Sequence, residues 1–285
     1  MQQYIDLIRH VMRNGHEKQD RTGVGTVSVF GYQCRFDLLK GFPLVTLKKT
    51  HFKSVLSELD WFMSGDTNVK SLHERGCTIW DEWADENGDL GPIYGKQWRA
   101  WQGANGAIHD QIAALYETLR SDQDSRRMIV SAWNVADLKD MALAPCHFAY
   151  QFYTRAATAS EVLQWENRKL YTGSSLELAP NPRVLSCQVF QRSADVGLGV
   201  PFNWASYAML TEAVAAECGM IAGELVWTGG DCHIYNNHLD ALYNMVEERT
   251  PHPLPDLLIT QAEGALHVEL FGYRHHPSIK LEVAV

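Results

Sequence analysis

The sequence predicts an α+β fold, a single domain with one mixed β-sheet covered by helices, and three observations predict it. Helical runs and strand-like runs are interspersed along one chain. With 285 residues, 46% of them hydrophobic and 21% charged, the chain can bury a large core. No internal repeat or low-complexity tract interrupts it.

Residues 2–14 open as a helix, because Tyr4, Ile5, Leu7, Ile8, Val11 and Met12 recur at helical spacing and the pattern stops at Asn14-Gly15. TVSVFGYQCRFDL alternates β-prone residues through Val27, Val29 and Phe30 and again from Cys34 to Leu38, a long strand with a bend or bulge at Gly31. A second helix is expected over about 52–64. TIWDEWADENGDLGPIYGKQWRAW, which follows, is too punctuated for a regular element and too aromatic for a linker. DQIAALYETLR (110–120) is helical again, MIVSAW (128–133) is a compact buried strand, and FAYQFYT is a strand just after Cys146. Residues 155–182 are polar, rich in small residues and closed by Pro-Asn-Pro, a surface insert before the strand LSCQVFQ (185–191). A long helix over 204–218, the segment ELVWTGGDCHIY and a helix from His238 to Glu248 follow.

Composition excludes several classes. A formal charge of −9 opposes general nucleic-acid binding, which needs a basic footprint. Basic residues cluster only locally, at Lys48-Lys49 and Arg126-Arg127 and singly at Arg21 and Arg192, and these suit small anion sites. Taken singly, each is ordinarily a solvated charge. No stretch has the apolar length to span a bilayer, and the first residues include no apolar signal core, so a cytoplasmic protein is expected. Six cysteines without CxxC spacing argue against a zinc site and against a disulfide framework.

Chemistry concentrates in a few segments. Cys146 lies in LAPCHFAYQF, where Pro145 and the strand after it hold a side chain rigidly. A lone cysteine is ordinarily a small buried hydrophobe, and it becomes a nucleophile only where positive charge or a helix N-terminus lowers its pKa. QRSADVGLGVPFNWASY brings Arg192 and Ser193, suited to adjacent phosphate oxygens, and Asn203, whose amide offers a donor and an acceptor to a base edge. Gly197 and Gly199 fit a turn where backbone approaches a ligand; the alternative is an ordinary strand-to-helix turn. DRTG places Arg21 in a turn, and DSRRM sets Arg126 and Arg127 before a strand. In GGDCHIYNNH, His233 and Tyr235 share a face if the segment is extended, where they suit a ribose hydroxyl. His233 and His238 are five apart, which is no helical metal-ligand spacing.

The ordered blocks DRTG, FPLVTLKKTHFKSVLSELDWF, GDTN, TIWDEWADENGDLGPIYGKQWR, DSRRMIVSAWN, ALAPCH, QRSADVGLGVPFNWASY and WTGGDCHIYNNH resemble those of the thymidylate synthases. The resemblance covers nearly the whole of 1–285 outside the insert and part of the C-terminal region. It implies a homodimer formed through a sheet face, dUMP as substrate, 5,10-methylenetetrahydrofolate as co-substrate, and no metal. It implies Cys146 as nucleophile, Glu58 as the carboxylate that organises proton transfer, and Tyr94 as a phenol assisting at the carbon-5 proton. Phosphate would fall to Arg192, Ser193 and Arg21, joined by Arg126 and Arg127 reaching across the dimer. Asn203 would read the pyrimidine, while His233 and Tyr235 would bind the 3′-hydroxyl. Folate would meet His51, Ile79, Trp80, Trp83, Leu143, Leu198, Gly199 and Phe202, with Asp195 on the pterin and Ala284 in a closing C-terminal segment.

Departures from that pattern occur at Leu47, Asp60, Ala194, Gly197 and Glu282, and at Arg274-His275 in a shortened 260–275 region. A dUMP hydroxymethylase is the nearest rival reading, sharing every step until water rather than hydride meets the exocyclic methylene. Retention of Trp80 favours methylation, and Asn203, where relatives acting on cytidylate tend to carry a carboxylate, favours uracil. A non-catalytic nucleotide- or RNA-binding homologue is a rival from another class, opposed by the acidic balance and the intact Cys146, Glu58 and Asn203. A flavin or zinc enzyme lacks both GxGxxG and ligand spacing.

Overall fold

The computed structural model describes residues 1–20, 22–262 and 265–283. In chain order its elements are α1 (Gln2–Asn14), β1 (His16–Lys18), β2 (Thr26–Asp37), α2 (Phe52–Ser64), α3 (Lys70–Glu74), α4 (Tyr94–Ala100), β3 (Trp101–Gln102) and β4 (Ile108–His109). Then come α5 (Gln111–Ser121), β5 (Ile129–Ser131), β6 (His147–Ala156), α6 (Ala159–Thr172), β7 (Arg183–Asp195), α7 (Gly199–Glu217), β8 (Ile221–Tyr235), α8 (Leu239–Glu248), β9 (Asp256–Ala262) and β10 (Ala265–Phe271). The class is α+β, as predicted. The chain divides into two compact units, Met1–Thr50 with Thr154–Val285, and His51–Tyr153.

The first unit is built on a mixed sheet whose strands run β1-β2-β8-β7. β1 pairs antiparallel with β2, and β2 with β8, while β7 runs parallel to β8. At Gly31 φ is +85°, which only glycine adopts without strain. The register Phe30↔Asp231 resumes as Tyr32↔Gly229 with no residue gained, so the predicted irregularity is a bend and not a bulge. A bulge lies instead between Leu185 and Cys187, and beyond it Ser193 stands opposite Asp231 and Asp195 opposite His233. α7 is buried nearly all round, from Val200 and Trp204 to Ala215, as suits a helix at the centre of a core. Trp204 packs its ring among Tyr4, Phe36 and Trp227, with centroids 5.9, 4.7 and 5.6 Å away. α1 contributes its apolar face of Tyr4, Ile5, Leu7, Ile8 and Val11.

The insert is more ordered than its composition suggests. It contains α6, started by a capping box in which Thr158 and Glu161 satisfy each other's backbone amides, and stopped at Gly173 with φ +77°. Arg168 anchors it by donating to Glu212 of α7 at 2.8 Å and to Asp256 of β9 at 2.7 Å, with only 11% of its side chain exposed. β9 and β10 form an antiparallel hairpin in the 260–275 region. The chain after it is pinned back: Tyr273 donates its hydroxyl to Val45 O at 2.7 Å, and Arg249 donates to Leu47 O and Pro277 O at 2.7 and 2.8 Å.

The second unit is an aromatic core enclosed by α2, α4, α5 and the antiparallel pair β5-β6. Phe62 of α2 lies 4.7 Å from the Tyr94 ring and 5.5 Å from Trp98. The Trp-rich stretch, expected to be irregular, holds α4 as a regular helix, because Tyr94, Gln97 and Trp98 bury one face of it. The GDTN turn is held by Asp66, which accepts from the amides of Thr67 and Asn68 and from the Ser71 hydroxyl. Asp60, a departure at a position that reads as core, sits on the solvent edge of α2 and pairs with Arg75 at 3.1 Å.

Candidate functional site

In the second unit, Cys146, Tyr94, Trp80 and Glu58 are linked in series by hydrogen bonds and a ring contact. Cys146 ends the loop before β6, half-buried, and its backbone N–H donates to Tyr94 Oη at 2.7 Å. Tyr94 opens α4, fully buried, and its oxygen also receives the His147 amide. Burial raises the phenol well above its ordinary pKa, and the nearby Cys146 and Glu58 raise it further, against the two amides; Tyr94 keeps its proton at neutral pH. The Tyr94 ring lies 6.1 Å from that of Trp80, whose indole N–H donates to Glu58 Oε1 at 2.8 Å. Glu58 is 8% exposed, and burial pushes its carboxyl up to about 7 despite the Trp80 bond. A carboxyl so poised takes and gives a proton near neutrality.

The remaining residues of this unit divide. Trp83 stands 5.7 Å from Trp80, its ring inclined edge-on at 64°, and Ile79, next to Trp80 in sequence, is half-buried. Leu143 is half-buried in the loop leading to Cys146. His51 is exposed at the start of α2 with Nδ1 2.8 Å from Ser54 Oγ. Arg126 and Arg127 are both exposed just before β5. His147, not singled out in the sequence, stacks on Tyr94 at 4.2 Å, and burial pushes its imidazole down to about 3, so it is neutral at working pH.

In the first unit, β7 and the first turn of α7 carry the anion- and base-reading candidates. Arg192 is exposed, Ser193 and Asp195 are half-buried, and Asn203 is half-buried one turn into α7. Asn203 Oδ1 accepts from Gln191 Nε2 at 2.9 Å, and Gln191 Oε1 accepts from Trp227 Nε1 at 2.8 Å. A fixed indole donor therefore sets the flip of Gln191, and Gln191 sets that of Asn203, leaving the Asn203 NH₂ outside this chain of bonds. Sequence reasoning missed Gln191; its signal is a polar side chain next to Arg192 on the buried face of a strand. Gly199 lies close to both Asn203 and Asp195: a Cβ there would be 3.6 Å from Asn203 Oδ1 and 3.9 Å from Asp195 Cβ. His233 and Tyr235 share one face of β8, as alternation requires, with rings 5.3 Å apart. His233 Nδ1 lies 3.2 Å from Asp231 Oδ1.

Lys48, read as an anion-site candidate, is turned inward and corrects that reading. It is 7% exposed and donates to the Gly197 carbonyl. Burial draws its ammonium down to about 8, opposed by Asp195. Lys49 is exposed. Leu198 and Phe202 are half-buried beside Gly199. Arg21 and Ala284 lie outside the described residues; Asp20 and Thr22, on either side of Arg21, are tied by a 2.6 Å hydrogen bond.

Among the described residues no three His, Cys, Asp or Glu side chains are grouped to hold a metal ion, no helix is long and apolar enough to cross a membrane, and none of the six cysteines is in a disulfide. The family model described as thymidylate synthase matches residues 2–285.

The chain therefore belongs to the thymidylate synthase family, whose members are methyltransferases acting on dUMP with 5,10-methylenetetrahydrofolate as co-substrate.

Proposed function

We propose that this member of the family converts dUMP and 5,10-methylenetetrahydrofolate to dTMP and dihydrofolate, with Cys146 as nucleophile. The observation that carries the reading is the Cys146–Tyr94–Trp80–Glu58 arrangement: a cysteine with its backbone held by a buried phenol, beside a buried carboxyl poised near neutrality. Cys146 thiolate adds to carbon 6 of the pyrimidine, and the electron pair of the 5,6 double bond moves toward oxygen 4, making carbon 5 nucleophilic. Asn203, oriented through Gln191, reads the uracil edge with its NH₂. Arg21, Arg192 and Ser193 hold the phosphate, and His233 with Tyr235 binds the 3′-hydroxyl.

Bound 5,10-methylenetetrahydrofolate supplies the one-carbon unit and the hydride that completes the methyl group. The apolar side chains of Ile79, Trp80 and Trp83 suit its ring system, and the Asp195 carboxylate suits a pterin with N–H donors. His51, Leu143, Leu198, Gly199, Phe202 and Ala284 complete its contacts in this reading. Tyr94 assists removal of the carbon-5 proton, and Glu58 relays it through water. Expulsion of Cys146 then releases the product.

The enzyme acts as a cytoplasmic homodimer in which Arg126 and Arg127 serve the partner's phosphate site. Exposed apolar side chains on strands, Phe30 at 89%, Tyr153 at 62% and Ile129 at 51%, support an interface through sheet. Mass spectrometry of the products tests the proposal. Methylation adds CH₂ to dUMP and yields dihydrofolate; addition of CH₂O with tetrahydrofolate left would establish a hydroxymethylase instead. Cys146→Ala must abolish both while retaining dUMP binding. Turnover by that variant overturns the nucleophile assignment.

A further inference from the structure

The turn between β7 and α7 is fastened from several directions within its own unit. Tyr4 donates its hydroxyl to Val196 O at 2.9 Å, and Val196 N donates to His233 O at 2.9 Å. Lys48 holds the Gly197 carbonyl, and Asp195 Oδ1 accepts from the amides of Gly197 and Leu198 at 2.8 and 3.2 Å. Gly197 is buried, and its φ lies outside the left-handed range, so backbone conformation does not demand a glycine here.

Space does. A Cβ at 197 would stand 2.8 Å from His238 Nδ1, 3.3 Å from Asp195 Oδ1 and 3.3 Å from Leu281 Cδ1. Real Cβ atoms do not approach a ring nitrogen that closely, so any other residue displaces the imidazole, the C-terminal segment, or both. His238 is 1% exposed, and its Nε2 lies 2.8 Å from the Glu282 carbonyl oxygen. A carbonyl only accepts, so Nε2 is the donor in this contact. The other ring nitrogen, Nδ1, is buried without a hydrogen-bond partner among the described residues. Leaving a buried polar atom unpaired is costly, and the ring orientation persists because Nε2 holds the C-terminal segment.

We infer that Gly197 and His238 together form the seat of the C-terminal segment: the missing side chain admits the imidazole and Leu281 against the turn, and the imidazole N–H fastens the chain at Glu282. Both are positioning residues. Gly197 lies two residues from Asp195 and one residue from Leu198, which the proposed function assigns to folate, and to that extent the consequence rests on that reading. A segment and a ligand that share one turn are coupled, and the coupling is reciprocal.

Hydrogen–deuterium exchange of the full chain, read on the peptide covering 278–283, tests the seat without any assay of activity. His238→Ala and Gly197→Ala should exchange this segment roughly five- to ten-fold faster than wild type, the factor for one lost hydrogen bond, with the β2–β8 core unchanged. His238→Gln should stay near the wild-type rate, because its amide N–H reaches where Nε2 stood. Unchanged exchange in both Ala variants overturns the inference, as does His238→Gln behaving like His238→Ala. Faster exchange throughout the chain also overturns it, since that reports the fold and not a seat. In turnover, the two Ala variants should raise KM for the folate by at least about five-fold and leave KM for dUMP nearly unchanged. Equal changes in both constants refute the coupling. A wild-type protein with no folate-dependent turnover refutes the proposed function, while exchange still decides the seat.

Discussion

Replacing Glu58 by glutamine isolates the effect of burying one carboxyl. Burial lifts Glu58 from an ordinary 4.5 to about 7, while in the unfolded chain it titrates near 4.5. Between those values the folded protein holds a proton that the unfolded chain has lost. The slope of unfolding free energy with pH is therefore negative: this contribution to stability is full below about 4.5, declines as pH rises to about 7, and changes no further above. At about 1.4 kcal/mol per pH unit, the decline amounts to about 3 kcal/mol. Glutamine keeps an oxygen for the Trp80 indole N–H and does not titrate. Urea denaturation of wild type and Glu58→Gln at matched protein concentration, from about pH 5 to about pH 8, measures the difference directly. That difference should shift in favour of the mutant by about 2–3 kcal/mol across the window and level off above about pH 7. Turnover of the mutant should fall steeply at every pH, because its side chain relays no proton. A stability difference that is constant with pH, or that moves toward wild type as pH rises, refutes the buried, proton-holding Glu58.

Tyr94→Phe removes the acceptor of the Cys146 and His147 amides, so it should cost about 1–3 kcal/mol of stability and lower kcat with little change in KM for dUMP; unaltered kcat would show that the clamp on Cys146 is irrelevant to chemistry. If Arg126 serves the partner's site, mixing Arg126→Ala with Cys146→Ala should restore activity in hybrid dimers, since one site regains both residues; no recovery despite confirmed subunit exchange argues against a crossing arginine. Asn203→Asp should lower dUMP turnover and raise that of dCMP, as a protonated carboxyl complements the cytosine edge, and equal loss of both activities would make Asn203 structural.

Local rules in the sequence determined much of this protein. α1 runs from Gln2 to Asn14 as its apolar spacing and its Asn14-Gly15 stop require, and His233 and Tyr235 share a face because side chains alternate along a strand. The ordered motifs from DRTG to WTGGDCHIYNNH identified the family, and they carry Cys146, Asn203 and Arg192, the candidates on which the proposed function rests. α6 was not read from its periodicity, because Leu163, Leu170 and Tyr171 are exposed and only Thr172 is buried; its capping box was the available signal. Other features depend on neighbours distant in sequence. Whether Lys48 meets solvent or the Gly197 carbonyl, whether Glu58 titrates at 4.5 or about 7, and which way Asn203 is flipped are decided by burial and by partners 149, 22 and 12 residues away. Gly197 is the clearest case: in the sequence it is a glycine in a turn, but its φ is ordinary and its necessity comes from His238 and Leu281. Desolvation and steric exclusion act among atoms brought together by the tertiary fold, and no window of neighbouring residues contains them.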